Sequence, residues 1–257
     1  MGILFDDIIF GPVKSRRLGL SLGVNVLPEH HKFCTFNCVY CECGWTHSAG
    51  ADSDSFHSRE DIKAALLDRC RLMAGRGIVP DAITFAGNGE PTLHPDFAGI
   101  IDDTLEVQQE VFPSAKVVVL SNSTTLRNPE IFNALKKVRN IMKLDAGTEK
   151  MYQLINKPLV PVDLEEIVRN LAAFKGDITI QSLFMKAEVD GQLIDNTTEE
   201  EVSAWLGHLS KINPRMVMIY PIDREAPDNN ITKVSAGTLE SIAERVRALG
   251  LSVKIYS

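Results

Sequence analysis

The chain has 257 residues, and its 27 Lys and Arg residues stand against 34 Asp and Glu residues, so the formal net charge is −7. A hydrophobic content of 44% with ordinary charged and aromatic fractions excludes disordered, collagen-like and coiled-coil classes. No apolar run reaches the ~18–20 residues of a membrane span, and the first residues lack a signal-peptide pattern. The acidic balance argues against broad nucleic-acid binding, although one local basic site remains compatible with it.

Short apolar, β-branched runs alternate with segments of helical periodicity along most of the chain. The runs predict seven strands, at 21–26, 82–86, 116–121, 140–145, 178–184, 216–220 and 252–256. Capping residues between the runs predict helices that begin after Ser58, at Pro95, and after Asp163, Thr198 and Ser235. Such alternation is typical of a parallel sheet covered by helices, as a partial open barrel or a doubly wound sheet. In either architecture, ligands bind at the carboxyl ends of the strands.

Residues 27–58 interrupt this alternation with 32 positions that show neither period. Loops longer than ~12–15 residues are uncommon in compact domains and are usually functional or disordered. Four of the five cysteines lie in this loop, whereas Cys70 lies on the apolar face of a predicted helix and is expected in the core. Bunched cysteines without a signal-peptide pattern indicate reduced thiols, a bound metal and a cytoplasmic protein.

The cysteines Cys34, Cys38 and Cys41 form a C-x3-C-x2-C pattern. Three thiolates on one tight loop can hold three corners of an iron–sulfur cluster and leave one metal position without a protein ligand. A zinc site is the alternative, because Cys43 or His47 could supply the fourth ligand that a structural zinc ion requires.

Two further segments carry candidate binding groups. Residues 87–91, Gly-Asn-Gly-Glu-Pro, directly follow a predicted strand, where glycines allow a ligand to approach the backbone and Glu90 adds a carboxylate. The same segment could also be a simple turn. Three cations just before the first predicted strand could bind a substrate phosphate or carboxylate, or could form a solvated turn. These cations are Lys14, Arg16 and Arg17, and Arg224 has a similar but weaker signal.

Taken together, the two motifs resemble those of the radical S-adenosylmethionine (SAM) superfamily. Its C-x3-C-x-aromatic-C motif is matched by Cys34, Cys38, Tyr40 and Cys41. Its Gly-Gly-Glu-Pro motif is matched at residues 88–91, where Asn88 replaces the first glycine. Within the superfamily, four stretches resemble the wyosine-tRNA synthase-like group of short bacterial Fe–S oxidoreductases, at 11–19, 38–44, 143–147 and 220–224.

The resemblance implies a single radical SAM domain over residues 1–257, folded as a partial (β/α)6-type TIM barrel with mostly parallel strands and a cluster-binding loop at 27–58. It implies a [4Fe–4S] cluster on the three cysteines, and SAM bound at the open iron and cleaved reductively to a 5′-deoxyadenosyl radical. The expected SAM contacts are Tyr40, Asn88, Gly89, Glu90, Asn122 and Asp145. Gln181 and Tyr220 are weaker candidates, and ordinary core packing is the alternative for both.

The sequence does not identify the substrate or the partners. We expect a reducing electron donor of the flavodoxin or ferredoxin type, no membrane partner, and a small-molecule or peptide substrate, with a tRNA base as the alternative. The substrate candidates are Lys14, Arg16, Arg17 and Arg224. A non-enzymatic zinc or Fe–S binding module is the rival class, followed by a metal-free enzyme that uses Glu90 or Asp145 as its base.

Overall fold

The computed structural model describes residues 3–46, 56–222 and 231–256, so His47 and Arg224 lie outside the described residues. The strands, in chain order, are β1 (Ile9–Ser15), β2 (Gly19–Val24), β3 (Ala82–Phe85), β4 (Lys116–Ser121), β5 (Arg139–Lys143), β6 (Thr179–Val189), β7 (Gln192–Asp195), β8 (Met216–Pro221), β9 (Ile231–Lys233) and β10 (Val253–Ile255). The helices are α1 (Arg59–Gly75), α2 (Phe97–Val111), α3 (Pro129–Leu135), α4 (Glu149–Asn156), α5 (Leu164–Ala172), α6 (Glu199–Ile212) and α7 (Ala236–Ala248).

The strands form one sheet in the order β1-β2-β3-β4-β5-β6-β8-β10. All neighbours from β2 to β10 pair in parallel, at the places where the apolar runs predict strands. The sheet does not close, because β1 and β10 are its two ends. The predicted partial barrel is therefore confirmed. The alternation did not predict three antiparallel strands, namely β1 on the edge next to β2, and β7 and β9 beside the end of β6.

Helix starts follow the capping residues in most cases. The side chains of Ser58, Asp163, Thr198 and Ser235 each accept a backbone N–H from the first turn of the helix that follows. A cap of this kind stabilises a helix by about 1 kcal/mol. The prediction of a helix start at Pro95 is wrong, because a 3₁₀ turn at Pro91–Leu93 comes first and α2 begins only at Phe97.

The core has two parts, one under the helices and one inside the barrel. The helical layer packs on the outer face of the sheet and contains Trp205, Phe184 and Cys70, all buried. A smaller apolar cluster of Ala82, Val118, Ile141 and Met218 fills the inner face toward the amino ends of the strands, with Leu18 packed against it. Apolar side chains thus fill this part of the interior, and polar groups gather near the carboxyl ends. In the described part of the chain, no helix is both long and apolar enough to cross a membrane.

Candidate functional site

The two sequence motifs are joined by backbone hydrogen bonds. Phe33, directly before the first cysteine of the motif, forms an isolated parallel bridge with Gly89. Its N–H donates to Asn88 O at 2.8 Å, and its carbonyl accepts from Glu90 N at 3.0 Å. Gly89 has φ +144°, and a Cβ atom there would lie 1.9 Å from Phe33 O. Only glycine allows this approach, so the second motif fixes where the cysteine loop begins.

The three motif cysteines lie around one turn of this loop. Cys34 Sγ accepts from Phe36 N at 3.4 Å and from Asn122 Nδ2 at 3.6 Å. Cys38 Sγ accepts from Asn156 Nδ2 at 3.4 Å, and Cys41 N donates to Cys38 O at 3.0 Å. All of these thiols are free.

The donor chemistry fits a multi-iron cluster. Three cysteines on a single loop supply thiolates, which are the usual ligands of iron–sulfur clusters. Cys38 acts on the pKa of Cys34, and Cys41 acts on the pKa of Cys38, so the three side chains lie near one another. In residues 3–46, 56–222 and 231–256, no group of three His, Cys, Asp or Glu side chains is already arranged around a single ion.

The thiols differ in their affinity for protons. Burial raises the pKa of Cys34 to about 12 and also raises the pKa of Cys38. The hydrogen bond from Cys43 lowers the pKa of Cys41 to about 5, and the pKa of Cys43 is raised in turn. Cys43 also lies 3.4 Å from Gly87 O. Because metal ligands must be thiolates, Cys34 and Cys38 have to release protons when they bind a metal.

A buried cation, Lys32, lies within the cysteine loop. The residue is 3% exposed. Its ammonium donates to Gly44 O at 3.0 Å and to Asn37 Oδ1 at 3.3 Å, both neutral acceptors. Lys32 lowers the pKa of Cys34 and of Cys41 through its charge. A buried charge is costly unless an opposite charge accompanies it, and the Cys41 thiolate, whose pKa Lys32 lowers, can supply that charge.

Two predicted SAM contacts, Asn88 and Glu90, have side chains already bound to the protein. The Asn88 amide accepts from Phe5 N at 2.8 Å and donates to Phe5 O and Pro28 O at 2.9 Å each. The Glu90 carboxylate accepts from Thr92 Oγ1 and from Asn122 N, both at 2.6 Å. Burial raises the pKa of Glu90. These two side chains hold the segments around the loop in place.

Asn122 and Gly89 lie against the cysteines themselves. The Asn122 amide nitrogen donates to Thr35 Oγ1 at 2.8 Å as well as facing Cys34 Sγ. The polar residues around Asn122 are also typical of a helix cap, but Asn128 is the residue that caps α3. Asn122 lies at the carboxyl end of β4, beside the first motif cysteine.

Asp145, after β5, is the centre of a buried polar cluster inside the barrel. Its Oδ2 atom accepts from the Tyr40 hydroxyl, from Lys143 Nζ at 3.1 Å and from Asn156 Nδ2 at 3.4 Å. Its Oδ1 atom accepts from Leu183 N at 2.9 Å. The Lys143 ammonium also donates to the Tyr40 hydroxyl oxygen. Asp145 thereby orients both Tyr40 and Lys143.

Proton affinities in this cluster follow from burial and from charge. Burial raises the pKa of Tyr40, and the adjacent Asp145 carboxylate raises it further. Burial lowers the pKa of Lys143, but attraction to the Asp145 carboxylate more than offsets this, and the net pKa is raised. Tyr40 is thus a neutral phenol and Lys143 a cation at neutral pH. The structure brings Tyr40 and Asp145 together, as expected for neighbours in one site.

Arg17 is the only one of the predicted substrate cations that enters the barrel in the described part of the chain. Its Nη1 atom donates to Gln181 Oε1 at 2.6 Å, and its Cζ atom lies 4.7 Å from the centre of the Tyr220 ring. Lys14 and Arg16 are exposed.

Sequence reasoning missed Lys32, Lys143 and Asn156 as site residues. Lys143 lies two positions before Asp145 at the end of β5, and side chains two positions apart on a strand point to the same face. The sequence therefore indicated that Lys143 lies beside Asp145. Lys32 and Asn156 carried none, because their roles depend on burial and on contacts distant in sequence.

Comparison with known proteins agrees with this geometry. A model of the Radical SAM superfamily matches residues 29–196. The UPF0026 protein of Methanocaldococcus jannaschii is 31% identical over 212 residues, covering 80% of this chain and 61% of that protein. The chain spans only 32% of the length of another curated relative.

Two crystal structures share the fold. A radical SAM methyltransferase from Sphaerobacter thermophilus superposes with a TM-score of 0.65 at 15% identity, over 91% of this chain and 65% of that chain. Streptococcus suis SuiB bound to precursor peptide SuiA gives a TM-score of 0.64 at 13% identity, over 91% of this chain and 48% of that chain.

Proposed function

The chain belongs to the radical SAM superfamily, and from that premise we propose that it abstracts a hydrogen atom from a small-molecule or peptide substrate held inside its barrel. Enzymes of this superfamily use a [4Fe–4S] cluster and SAM, and Cys34, Cys38 and Cys41 are the residues that would hold the cluster. When bound, these cofactors supply one-electron cleavage of SAM to a 5′-deoxyadenosyl radical, which is the hydrogen acceptor.

The observation that carries the proposal is the position of Asn156. Its side-chain amide lies 3.4 Å from Cys38 Sγ and 3.4 Å from Asp145 Oδ2. One residue therefore connects a cluster ligand to the polar cluster of the barrel interior. A substrate in the interior would lie next to the cofactors, as direct hydrogen transfer requires.

The chain's own residues would position the reactants and exclude water. Asn122 and Asn156 donate to the sulfur atoms of Cys34 and Cys38, which orients those ligands. Lys32 offsets negative charge on the loop. Asp145 holds the Tyr40 phenol beside the last motif cysteine, and its own side chain has no exposed surface.

The test is reductive SAM cleavage by the purified, cluster-loaded protein. We expect 5′-deoxyadenosine to form with dithionite, or with a reduced electron donor of the flavodoxin or ferredoxin type. Replacing Cys34, Cys38 and Cys41 together by Ala should abolish it. Full product formation by the triple variant would overturn the proposal.

The competing substrate class is a tRNA base. Binding to the phosphates of tRNA requires exposed cations and weakens steeply with salt. We expect no retention of tRNA at low salt, because the chain carries a net charge of −7 and, among the described substrate candidates, Lys14 and Arg16 alone are exposed. Salt-dependent retention would favour the tRNA alternative over a small molecule or peptide.

A further inference from the structure

Arg17 crosses the interior of the barrel. It lies in the turn between β1 and β2, yet its side chain contacts Gln181 on β6 and Tyr220 on β8. In the sheet, β3, β4 and β5 lie between β2 and β6, so the contact runs across the enclosed space and not along the sheet.

The partners of Arg17 leave most of its hydrogen-bonding capacity unused. A guanidinium group has several N–H donors in one plane and carries a full charge at neutral pH. In the described ranges, its partners are the Gln181 amide oxygen and the ring and hydroxyl of Tyr220, none of which is charged. Two other arginines, Arg59 and Arg127, pair with the largely buried carboxylates of Asp103 and Glu166 instead.

A second cation, Lys143, lies on the same inner face. Lys143 and Gln181 are in register on the adjacent parallel strands β5 and β6, so their side chains point to the same side of the sheet. Tyr220 lies near both cations, whose charges act on its hydroxyl. The carboxylate of Asp145 already accepts four hydrogen bonds. The two cations Arg17 and Lys143 face a single carboxylate, that of Asp145. This group of three side chains therefore carries a net charge of +1, although the chain as a whole is acidic.

We propose that Arg17 and Lys143 form a subsite that binds an oxyanion group of the substrate, either a carboxylate or a phosphate. The inference rests on the proposed function, since it makes the barrel interior the substrate chamber. Arg17 would bind two oxygen atoms side by side, with Tyr220 stacked on its plane and Gln181 fixing its rotation. Lys143 would contribute charge at the end nearer the cysteines, since it acts on Cys38.

The test is calorimetric titration of the cluster-loaded protein with two probes, inorganic pyrophosphate for the phosphate class and succinate for the carboxylate class. We expect saturable binding of at least one probe. Arg17→Gln should weaken that binding by at least tenfold. Arg17→Lys, which keeps the charge and loses the planar pair of donors, should weaken it less.

Arg215→Gln is the matched control, because it removes the same charge from an exposed ion pair with Asp177 at the start of β8. We expect unchanged binding in this variant. Equal losses in Arg17→Gln and Arg215→Gln would overturn the subsite, as would wild-type affinity in Arg17→Gln or no binding of either probe.

An EPR spectrum of each reduced sample, with and without SAM, separates this inference from the proposed function. A signal that responds to SAM together with probe binding that ignores Arg17 would refute the subsite alone. A signal indifferent to SAM together with Arg17-dependent probe binding would refute the proposed function and leave an anion site.

Discussion

The cysteine loop and the barrel interior are both polar, but different interactions hold them together. In the loop, backbone groups make the defining contacts, as in the bridge between Phe33 and Gly89. In the interior, side chains from separate strands meet one another, as Arg17 meets Gln181 and Lys143 meets Asp145. The loop can therefore be specified by a short motif, whereas the interior depends on the register of the whole sheet.

Loss of a cysteine ligand should have the largest effect on the loop. In Cys38→Ala we expect loss of bound iron and of 5′-deoxyadenosine formation, because only two of the three predicted ligands remain. Iron and sulfide analysis after anaerobic reconstitution measures this. The control is Cys43→Ala, which should retain the cluster. Wild-type iron content in Cys38→Ala would contradict the ligand assignment.

Gly89→Ala tests whether backbone contact defines the loop. The added Cβ would lie 1.9 Å from Phe33 O, so the bridge must open. We expect a loss of about 3 kcal/mol in the free energy of unfolding, together with reduced cluster content. Denaturant unfolding measures the first effect. Gly207→Ala, with open space around it on α6, should not destabilise the protein and should keep the cluster. Equal stability of the two variants would refute the role of the bridge.

Asp145→Asn tests whether side-chain contacts in the barrel interior stabilise the fold. The substitution leaves the buried ammonium of Lys143 without its carboxylate, and breaking such a pair costs about 3 kcal/mol. Thermal or urea unfolding measures this cost. Asp190→Asn, at an exposed ion pair with Lys157, should change stability by less than about 0.5 kcal/mol. A similarly small effect in Asp145→Asn would show that the interior cluster contributes little to the fold.

Lys32→Gln removes the buried charge of the loop and retains hydrogen-bonding groups. Reduction adds an electron to the cluster, and a nearby cation favours the reduced form. We expect the reduction potential to fall by about 60 mV, a tenfold change for a one-electron couple. Potentiometric titration followed by EPR measures it. Lys63→Gln, at an exposed lysine of α1 that pairs with Asp103 and Glu106, should leave the potential unchanged. An unchanged potential in Lys32→Gln would refute charge compensation by this residue.

The smallest predicted effect is the number of protons that the cysteines release when the cluster binds. Burial raises the pKa of Cys34 to about 12 and raises that of Cys38, whereas the pKa of Cys41 is lowered to about 5. At neutral pH the first two are thiols and the third is a thiolate. Cluster binding should therefore release roughly two protons and become weaker as the pH falls. Calorimetry of iron binding in buffers of different ionisation enthalpy counts them. A proton count near zero would contradict the raised pKa values.

Much of the fold and the loop could be predicted from the sequence. Apolar runs mark each parallel strand because both faces of the sheet are covered, and Ser58 and Thr198 mark helix starts because their side chains cap backbone N–H groups. The spacing of the cysteines indicates a ligand-binding loop, and Gly89 indicates a place where another backbone segment comes close.

The other features of the site could not be predicted from the sequence, because they depend on contacts between residues that are far apart along the chain. Gln181 lies beside Lys143 only because β5 pairs in register with β6, and Arg17 contacts Gln181 and Tyr220 from a turn that is distant in sequence. The edge strand β1 lacks a two-sided apolar pattern because its faces are little covered, and Ile9 is its one buried residue. Asn88 is a predicted SAM contact, and its side-chain amide accepts from the N–H of Phe5, 83 positions away. No local pattern encodes such a pairing.

The most direct test of the central claim is the EPR spectrum of the anaerobically reconstituted, dithionite-reduced protein before and after addition of SAM. We predict a cluster signal that changes when SAM binds at the iron without a cysteine ligand, and no signal in Cys38→Ala. A cluster signal that SAM leaves unchanged would contradict the claim that this loop is a radical SAM site.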